Sequence, residues 1–539
     1  MQDLSFDFRD PVWEFNGVRF AVQLFTYENV YGLDADATSL VDSGPTCSLQ
    51  CTQLTSAGGQ ERVTGEVSLK AVSEDRGTSF SIHARMDESI RCVKLVIRGV
   101  PSGEIVSLRE TNRKAIPDTG LILRYPGGWR ELPTPLVILQ SQEGSYWYWR
   151  SLDTQVRGKR FVFLRKGDTL DVELIFDEAA TKVRRAIDVP AWVVGTCDDP
   201  LPIVDCHRDH SERAHQLVPW DRRADVPDWA REISLIATIH CQHWTGYVFN
   251  DYAKVLETIE WLAGRVPAKR ILAYLPGWEG RYYWQYGDYR PDPRMGGEHG
   301  FERLIQGARS IGARVMPMFG INVVNQGAPN YARWGAPAGH PPAGGKVDWD
   351  GSRLYHSGWS SVLNPGAPTW QNRLLAQIVG LIDRYGFDGV FLDISASWWN
   401  DRNHDVYDGT VQLIRRIREK HPQILVAGEG WYDAVGAVTP LVQSGHMDGP
   451  LVWHDQPYPS FFDRYARCFA HLCLGDPGRG STGVHELGHN AVTHSPLRRG
   501  VIPTVAIVED TLSKAPDGLL AILEDAKQYA KRFLSQPEG

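Results

Sequence analysis

The fold is decided by two stretches, Tyr385-Gly386-Phe387-Asp388-Gly389-Val390-Phe391-Leu392-Asp393 and Ile424-Leu425-Val426-Ala427-Gly428-Glu429-Gly430. Each is a short apolar run that ends in one carboxylate, and a helical pattern at 408–421 lies between them. Short buried strands that alternate with amphipathic helices are typical of a parallel α/β fold. Because strand C-termini face the active site of a (β/α)8 barrel, Asp393 and Glu429 are predicted to lie at adjacent strand ends.

The same alternation extends outward from these stretches over residues 229–539. Candidate strands are 233–240, 270–276, 314–321, 389–394, 424–428, 449–453 and 501–508, with a poorly defined one near 481–486. Candidate helices are 251–264, 300–311, 369–385, 408–421, 460–473 and 516–534. Eight strands within roughly 300 residues predict a (β/α)8 TIM barrel. The segment 325–368, rich in Gly, Pro and Trp, is expected to be a loop that covers the substrate.

The N-terminal part of the chain has a different periodicity. Segments such as 65–72, 79–84, 92–97 and 171–176 alternate apolar and polar residues, with Gly, Pro and Asp between them. This pattern predicts an antiparallel β-sandwich over residues 1–180. The five prolines within 190–228 indicate a connector at 181–228. The expected fold class is therefore α/β, a TIM barrel preceded by an N-terminal β-sandwich.

Bulk composition excludes several function classes. A hydrophobic content of 42% and a charged content of 23% are those of a soluble globular protein. The net charge of -8 argues against a nucleic-acid partner, and no apolar run is long enough for a membrane span.

We expect a cytoplasmic location, because the N-terminus has no signal-peptide pattern, unless a leader has been removed. The eight cysteines include no Cys-x-x-Cys pair. No cofactor is expected, and the oligomeric state is left open.

Two facing carboxylates are what the hydrolysis of a glycosidic bond needs. In that reading Asp393 attacks the anomeric carbon, while Glu429 protonates the leaving oxygen and then activates water. Glu429 must start protonated, and the charge of Asp393 and the apolar cover of Trp431 are expected to raise its pKa. A separation of about 5–6 Å between the carboxyl oxygens is predicted for such a retaining pair. The alternative is that both residues merely cap the loops after their strands.

Other polar and aromatic residues follow the predicted strands and form a rim by position. The candidate substrate-binding residues are His243, Trp278, Glu279, Asn322, Trp398, Trp399, Trp431, His454, Asp455 and Asp510. An indole ring offers a flat apolar face and one N–H donor, which suits a sugar ring. An oligosaccharide or glycoside is therefore the expected partner.

A nucleophilic Asp on the fourth strand and an acid/base Glu on the fifth resemble the retaining α-glycosidases of the α-amylase clan. The chain also resembles the endo-α-N-acetylgalactosaminidase group, in which a β-sandwich precedes the barrel. The phrase Phe387-Asp388-Gly389-Val390-Phe391-Leu392-Asp393 is most similar to a set of uncharacterised bacterial glycoside-hydrolase-like barrel proteins. The resemblance implies an α-linked substrate. Phe391 departs from the α-amylase pattern, which has Arg there, so starch-like substrates are disfavoured.

Two alternatives remain open on the sequence. His485-Glu486-Leu487-Gly488-His489 matches the H-E-x-x-H pattern of zinc proteases, which needs a helix that holds both histidines on one face. Glycines at 478, 480, 483 and 488 crowd the motif, and position 495, where a third histidine is expected, holds Ser495. The second alternative is a non-catalytic carbohydrate-binding barrel, because a Trp-rich rim also serves binding alone.

Overall fold

The computed structural model describes a large part of the chain. The residues described are 11–106, 114–127, 132–243, 246–280, 286–325, 360–444, 463–470, 497–508, 511–514 and 516–534. Within them, no helix is both long enough and apolar enough to cross a membrane.

A large antiparallel sheet occupies the N-terminal region and has sixteen strands among the described residues. The strands are β1 (Trp13–Phe15), β2 (Val18–Phe25), β3 (Val30–Leu33), β4 (Thr38–Asp42), β5 (Thr46–Ser56), β6 (Glu61–Glu74), β7 (Gly77–Ile90), β8 (Cys92–Pro101), β9 (Gly103–Val106), β10 (Lys114–Ala115), β11 (Leu121–Tyr125), β12 (Leu136–Ser141), β13 (Tyr146–Ser151), β14 (Lys159–Lys166), β15 (Thr169–Asp177) and β16 (Arg184–Cys197). Their order is β10-β9-β12-β13-β16-β7-β6-β5-β3-β2-β8-β15-β14-β11, with β1 on β2 and β4 on β5.

Aromatic side chains show that this sheet packs against itself. Phe161 of β14 contacts Trp192 of β16 at 5.4 Å between ring centroids, and Phe163 of β14 contacts Trp149 of β13 at 5.5 Å. These strands are far apart in the sheet order, so two parts of the sheet face each other over a shared core. The predicted antiparallel character is confirmed, whereas the assignment of a sandwich stays a prediction.

The stretch predicted as a connector contains regular structure. Strand β16 pairs with β7 and β13 inside the sheet, so residues 184–197 of this stretch belong to the sheet. Pro190 lies inside this strand, although proline cannot donate to a strand ladder. The pairing of β16 with β7 shifts register between Val189 and Trp192, which accommodates Pro190. The division of the chain into domains at 180 and 229 stays a prediction.

The C-terminal region forms a nearly closed parallel barrel of eight described strands. They are β17 (Leu235–Ile239), β18 (Ile271–Leu275), β19 (Arg314–Gly320), β22 (Gly389–Asp393), β23 (Leu425–Glu429), β24 (Leu441–Ser444), β25 (Arg467–Ala470) and β26 (Thr504–Ile507). β26 pairs with β17, and the amide N–H of Cys468 in β25 donates to the carbonyl of Gly500 at 2.7 Å, just before β26. The predicted barrel is confirmed in this form.

Two of the predicted barrel elements are misplaced. The sixth strand is Leu441–Ser444 rather than 449–453, and the seventh is Arg467–Ala470, inside the predicted helix 460–473. That helix prediction is wrong at these positions, because a buried run of four residues carries no periodicity that separates a strand from a helix. Residues 449–453 and 481–486 lie outside the described residues.

The helices follow the strands in barrel order. They are α1 (Leu201–His215), α2 (Asp228–Arg231), α3 (Tyr252–Ala263), α4 (Gly297–Ile311), α5 (Pro368–Tyr385), α6 (Val406–Lys420), α7 (Thr511–Lys514) and α8 (Pro516–Tyr529), with a π-helical turn at Ala530–Leu534. Short 3-10 helices lie at Ala35–Ala37, Ala57–Gly59, Trp220–Arg222, Ala268–Arg270, Pro293–Met295 and Ala434–Ala437. A small pair, β20 (Val323–Asn325) with β21 (Ser360–Val362), joins the two ends of the segment predicted as a covering loop. Its residues 326–359 lie outside the described part.

The antiparallel sheet and the barrel meet at the fully buried Asp433, four residues beyond the end of β23. Its carboxylate accepts hydrogen bonds from the hydroxyls of Tyr125 (2.7 Å), Thr134 (2.7 Å) and Ser211 (3.3 Å), and from the amide of Ala434 (2.8 Å). These donors come from the sheet region, from helix α1 and from the barrel itself. We call Asp433 and these donors the Asp433 cluster. It connects the sheet region, helix α1 and the barrel through hydrogen bonds to one carboxylate.

Candidate active site

Asp393 and Glu429 are the last residues of neighbouring parallel strands, β22 and β23. Both side chains are buried, with 3% and 6% of their surface exposed. The two carboxyl groups interact through a side-chain hydrogen bond. The separation of 5–6 Å stays a prediction. The hydroxyl of Tyr286 donates to Oδ2 of Asp393 at 2.6 Å. The predicted meeting of the two carboxylates is therefore present in the fold.

The backbone just after Asp393 is shaped to hold Glu429. Ile394 has φ of 63°, a left-handed conformation that is unusual for a β-branched residue. This conformation accompanies a hydrogen bond in which the amide of Ile394 donates to Oε2 of Glu429 at 2.9 Å. The next residue, Ser395, accepts a hydrogen bond from the amide of Glu429 at 2.9 Å. Local strain at this position is of the kind found at functional sites.

Burial raises the pKa of Glu429 to about 7. The hydrogen bonds from Asp393 and from the amide of Ile394 act in the opposite direction and lower it. The sequence analysis predicted this rise, which comes from burial, and the hydrogen bond with Asp393 acts against it. A group with this pKa exchanges a proton near neutral pH.

Glu279 is a third carboxyl group beside the pair. It follows β18, is 1% exposed, and neither of its oxygens has a hydrogen-bond partner from another described residue. Its pKa is raised to about 8, mainly by burial and to a smaller extent by the negative charges of Asp393 and Asp292, while its own backbone amide acts in the opposite direction. A buried carboxyl without partners is costly for the fold, since such groups are normally hydrogen-bonded.

Tyr286 was missed by the sequence analysis. Its ring lies against Gly320, at the end of β19, where any Cβ atom would collide with the ring. Glycine at this position therefore allows Tyr286 to reach Asp393. The tyrosine follows an aromatic run after β18, but nothing in that run marks which ring contacts a carboxylate.

The four tryptophans of the predicted rim fall into two groups, two fully buried and two half-buried. Trp278 is fully buried between Phe301 and Phe319, and its indole N–H donates to the carbonyl of Met318 at 2.8 Å. Trp431 is also fully buried, in a cluster formed by the sheet, helix α1 and the barrel. Their described contacts are therefore those of core residues.

The two remaining tryptophans are half-buried. Trp398 lies next to Gly158, the residue before β14. Trp399 has a buried indole N–H without a hydrogen-bond partner among the described residues. Asn322 is similar, because its Oδ1 has no partner there, while its Nδ2 donates to the carbonyl of Ile394 at 3.4 Å. Trp399 and Asn322 therefore offer a donor and an acceptor that the described contacts leave unused.

His243 is buried after β17, where its ring packs on Phe249 at 5.6 Å between centroids. The remaining predicted site residues, His454, Asp455 and Asp510, lie outside the described residues. The same holds for the zinc motif at His485, Glu486 and His489. Among the residues that are described, no group of three or more His, Cys, Asp or Glu side chains has the arrangement of a metal site.

Comparison with known proteins gives similarity in structure alone. No family model and no curated protein matches the sequence. A structure of the α-N-acetylgalactosaminidase NagBb from Bifidobacterium bifidum matches with a TM-score of 0.67 and 12% identity, over 97% of this chain and 93% of that one. The GH36 α-galactosidase AgaA from Geobacillus stearothermophilus matches with a TM-score of 0.54 and 11% identity, over 95% and 75%.

A third match is the galactosidase domain of the α-galactosidase-sucrose kinase AgaSK, with a TM-score of 0.53 and 13% identity, over 95% of this chain and 71% of that one. All three proteins are glycoside hydrolases that are named for α-linked sugars. At these identities the matches establish a shared fold. The predicted resemblance to the N-acetylgalactosaminidase group is confirmed at that level, and the chain has the fold of these α-glycosidases.

Proposed function

We propose that the protein is a retaining α-glycosidase in which Asp393 is the nucleophile and Glu429 the acid/base. The observation that carries this proposal is the pair itself: two buried carboxyls in hydrogen-bond contact at neighbouring strand ends, one with a pKa of about 7. Inverting enzymes keep their carboxyl groups roughly 6.5–9.5 Å apart to hold a water molecule between them. A contact pair leaves no such space, which supports retention.

The reaction then has two steps. In the first, a carboxylate oxygen of Asp393 attacks the anomeric carbon, and the bond to the leaving oxygen breaks as Glu429 gives that oxygen its proton. In the second, the Glu429 carboxylate takes a proton from water, whose oxygen displaces Asp393. The hydroxyl of Tyr286 holds Asp393 in place through a hydrogen bond of 2.6 Å, and the amide of Ile394 holds Glu429 through one of 2.9 Å.

We further propose that the substrate completes the hydrogen bonds that the described contacts leave open. Glu279, Asn322 and Trp399 offer a carboxyl group, an amide oxygen and an indole N–H. Sugar hydroxyls can donate to and accept from all three groups. His243, Trp278, Trp398, Trp431, His454, Asp455 and Asp510 stay predicted substrate contacts or supports of this site.

The structural neighbours point to a substrate class. Structures of AgaA with raffinose and of NagBb with GalNAc are among the matches. We therefore propose an α-galactoside or an α-N-acetylgalactosaminide as substrate. The zinc-protease motif lies outside the described residues, and a chelator distinguishes that alternative because the proposed glycosidase reaction uses no metal. A sugar-binding barrel without catalysis is distinguished by binding without turnover.

Azide rescue with dinitrophenyl α-glycosides tests the two assignments together. Glu429→Gln should still form the glycosyl-enzyme from this good leaving group, and azide should then release an α-glycosyl azide. Asp393→Gly should instead give the β-azide, because azide replaces the missing nucleophile directly.

Asp388→Asn is the matched control, since Asp388 precedes the same strand at its other end and pairs with Arg314 at 2.8 Å. Asp388→Asn should hydrolyse the dinitrophenyl α-glycoside without added azide. Rescue of neither site variant, or the same azide anomer from both, would refute the roles.

A further inference from the structure

A cavity lies at the opposite end of the barrel from Asp393 and Glu429. Its volume is ≈ 260 Å³, and it is bordered by Ile233 before β17, Arg467 at the start of β25 and Ile502 before β26. All three positions are at the N-terminal ends of parallel strands, whereas Asp393 and Glu429 end theirs. This cavity is therefore separate from the candidate active site.

Arginine is the main charged residue among the described residues of its walls. Arg231, Arg467 and Arg499 line the cavity together with one carboxylate, Asp221. Oδ1 of Asp221 lies 2.9 Å from Nη2 of Arg499 and 3.9 Å from Nη2 of Arg467, so two guanidinium groups share one oxygen. Among the lining residues that the structure describes, arginines therefore outnumber carboxylates by three to one.

Arg467 is the residue that most needs a further anion. Only 5% of its side chain is exposed, and its Nη1 donates to the backbone carbonyls of Asp463 and Ala466 at 2.7 and 3.1 Å. Neutral carbonyls do not neutralise a buried cation, and a buried charge is costly unless it is paired. Burial is the main cause that lowers the pKa of Arg467; the charge of Arg499 also lowers it, while Tyr529, Asp221 and Asp463 act in the opposite direction.

The remaining wall is aromatic. The centroid of the Trp220 ring lies 4.8 Å from the guanidinium carbon of Arg467. The rings of Tyr529 and Phe533, in the C-terminal helical segment, pack together with 5.1 Å between their centroids. A flat apolar group can lie against such rings while an anionic group pairs with the arginines. The volume corresponds to roughly eight or nine water molecules, which is enough for one small aromatic or sugar ring with a phosphate.

We propose that this cavity binds a phosphate monoester with a flat body, such as an aryl or sugar phosphate. The three arginines of the described lining suit the dianion, which carries about -1.5 to -2 charges at pH 7. Arginine forks suit phosphate oxygens, which they bind through paired N–H donors. The site does not depend on the proposed glycosidase chemistry.

Titration calorimetry at physiological salt with phenyl phosphate, inorganic phosphate and phenol tests the proposal. Phenyl phosphate should bind more tightly than inorganic phosphate, and phenol should not bind measurably. In Arg499→Gln, which changes a half-exposed side chain, the affinity for phenyl phosphate should fall by about tenfold or more, while the melting temperature should stay close to that of the parent protein. Asp221→Asn should change affinity in the opposite direction, because it removes the competing carboxylate.

Arg415→Gln is the control, since Arg415 lines a different cavity of ≈ 320 Å³ beside α6. Its affinity for phenyl phosphate should equal that of the parent protein. Equal affinity in Arg499→Gln and the parent, a similar loss in Arg415→Gln, or no binding of phenyl phosphate would each overturn the proposal.

Discussion

The candidate active site and the Asp433 cluster are both built on buried carboxyl groups, yet they differ in their hydrogen bonds. Asp433 is fully buried and accepts from three hydroxyls and one amide. Glu279 is buried to a similar degree and has no hydrogen-bond partner from another described residue. Burial alone therefore does not mark a functional acid; burial without enough donors does.

The physical consequences of the two arrangements are opposite. A carboxylate that accepts several hydrogen bonds joins the groups that donate them, and its loss leaves buried donors unpaired. A buried carboxyl without donors destabilises the charged form, so its pKa rises and it becomes available for proton transfer or for binding a substrate. We therefore expect the Asp433 cluster to control stability and the candidate active site to control turnover.

The largest expected effect is on activity. Asp393→Asn should reduce kcat by roughly 10⁴-fold or more, because no other group replaces the nucleophile. Its melting temperature should stay close to that of the parent protein. Turnover of an aryl α-glycoside and a thermal melt of the same sample check both statements. Full activity in Asp393→Asn would remove the basis of the comparison.

The next largest effect is on folding. Asp433→Ala should lower the free energy of unfolding by about 3–5 kcal/mol, because the hydroxyls of Tyr125 and Thr134 and one amide lose their acceptor. Denaturant unfolding measures this loss. Glu279→Ala serves as the matched case, since it removes an equally buried carboxyl that has no donors. A larger loss in Glu279→Ala than in Asp433→Ala would contradict the proposed division of roles.

A third effect concerns pH. Burial raises the pKa of Glu279 to about 8 and that of Glu429 to about 7, so the native state holds protons that the unfolded chain releases above about pH 4.5. Their stabilising contribution is complete below that pH and is lost as the pH rises through 7 and 8. Glu279→Gln should therefore weaken the decline in stability between pH 5 and 9. Parallel curves for the variant and the parent protein would show that Glu279 does not titrate in this range.

The smallest effect tests the contact between Tyr286 and Asp393. Tyr286→Phe removes one hydrogen bond to a carboxylate and should lower kcat/KM by about 10-fold. Gly320→Ala should cause a similar loss, because a Cβ atom at that position collides with the ring of Tyr286. Steady-state kinetics of both variants and of their combination check this. Independent, additive losses would show that Gly320 does not act through Tyr286.

The sequence predicted the barrel and the pair because each rests on a local pattern. Asp393 and Glu429 end short apolar runs, and parallel strands bring their C-terminal ends to one edge. Other features depend on tertiary contacts. The strand Arg467–Ala470 is too short to show a period, and Pro190 is tolerated only through a register shift with β7. The hydrogen bond from Ile394 to Glu429 is donated by a backbone amide, so the residue type at position 394 does not predict it.

Covalent trapping of the nucleophile tests the central claim most directly. The protein is incubated with an α-galacto- or α-N-acetylgalactosamine-configured cyclitol probe, digested, and analysed by mass spectrometry. The account predicts one adduct, on the peptide that carries Asp393, and its loss in Asp393→Asn. An adduct on another side chain, or undiminished labelling of Asp393→Asn, would contradict it.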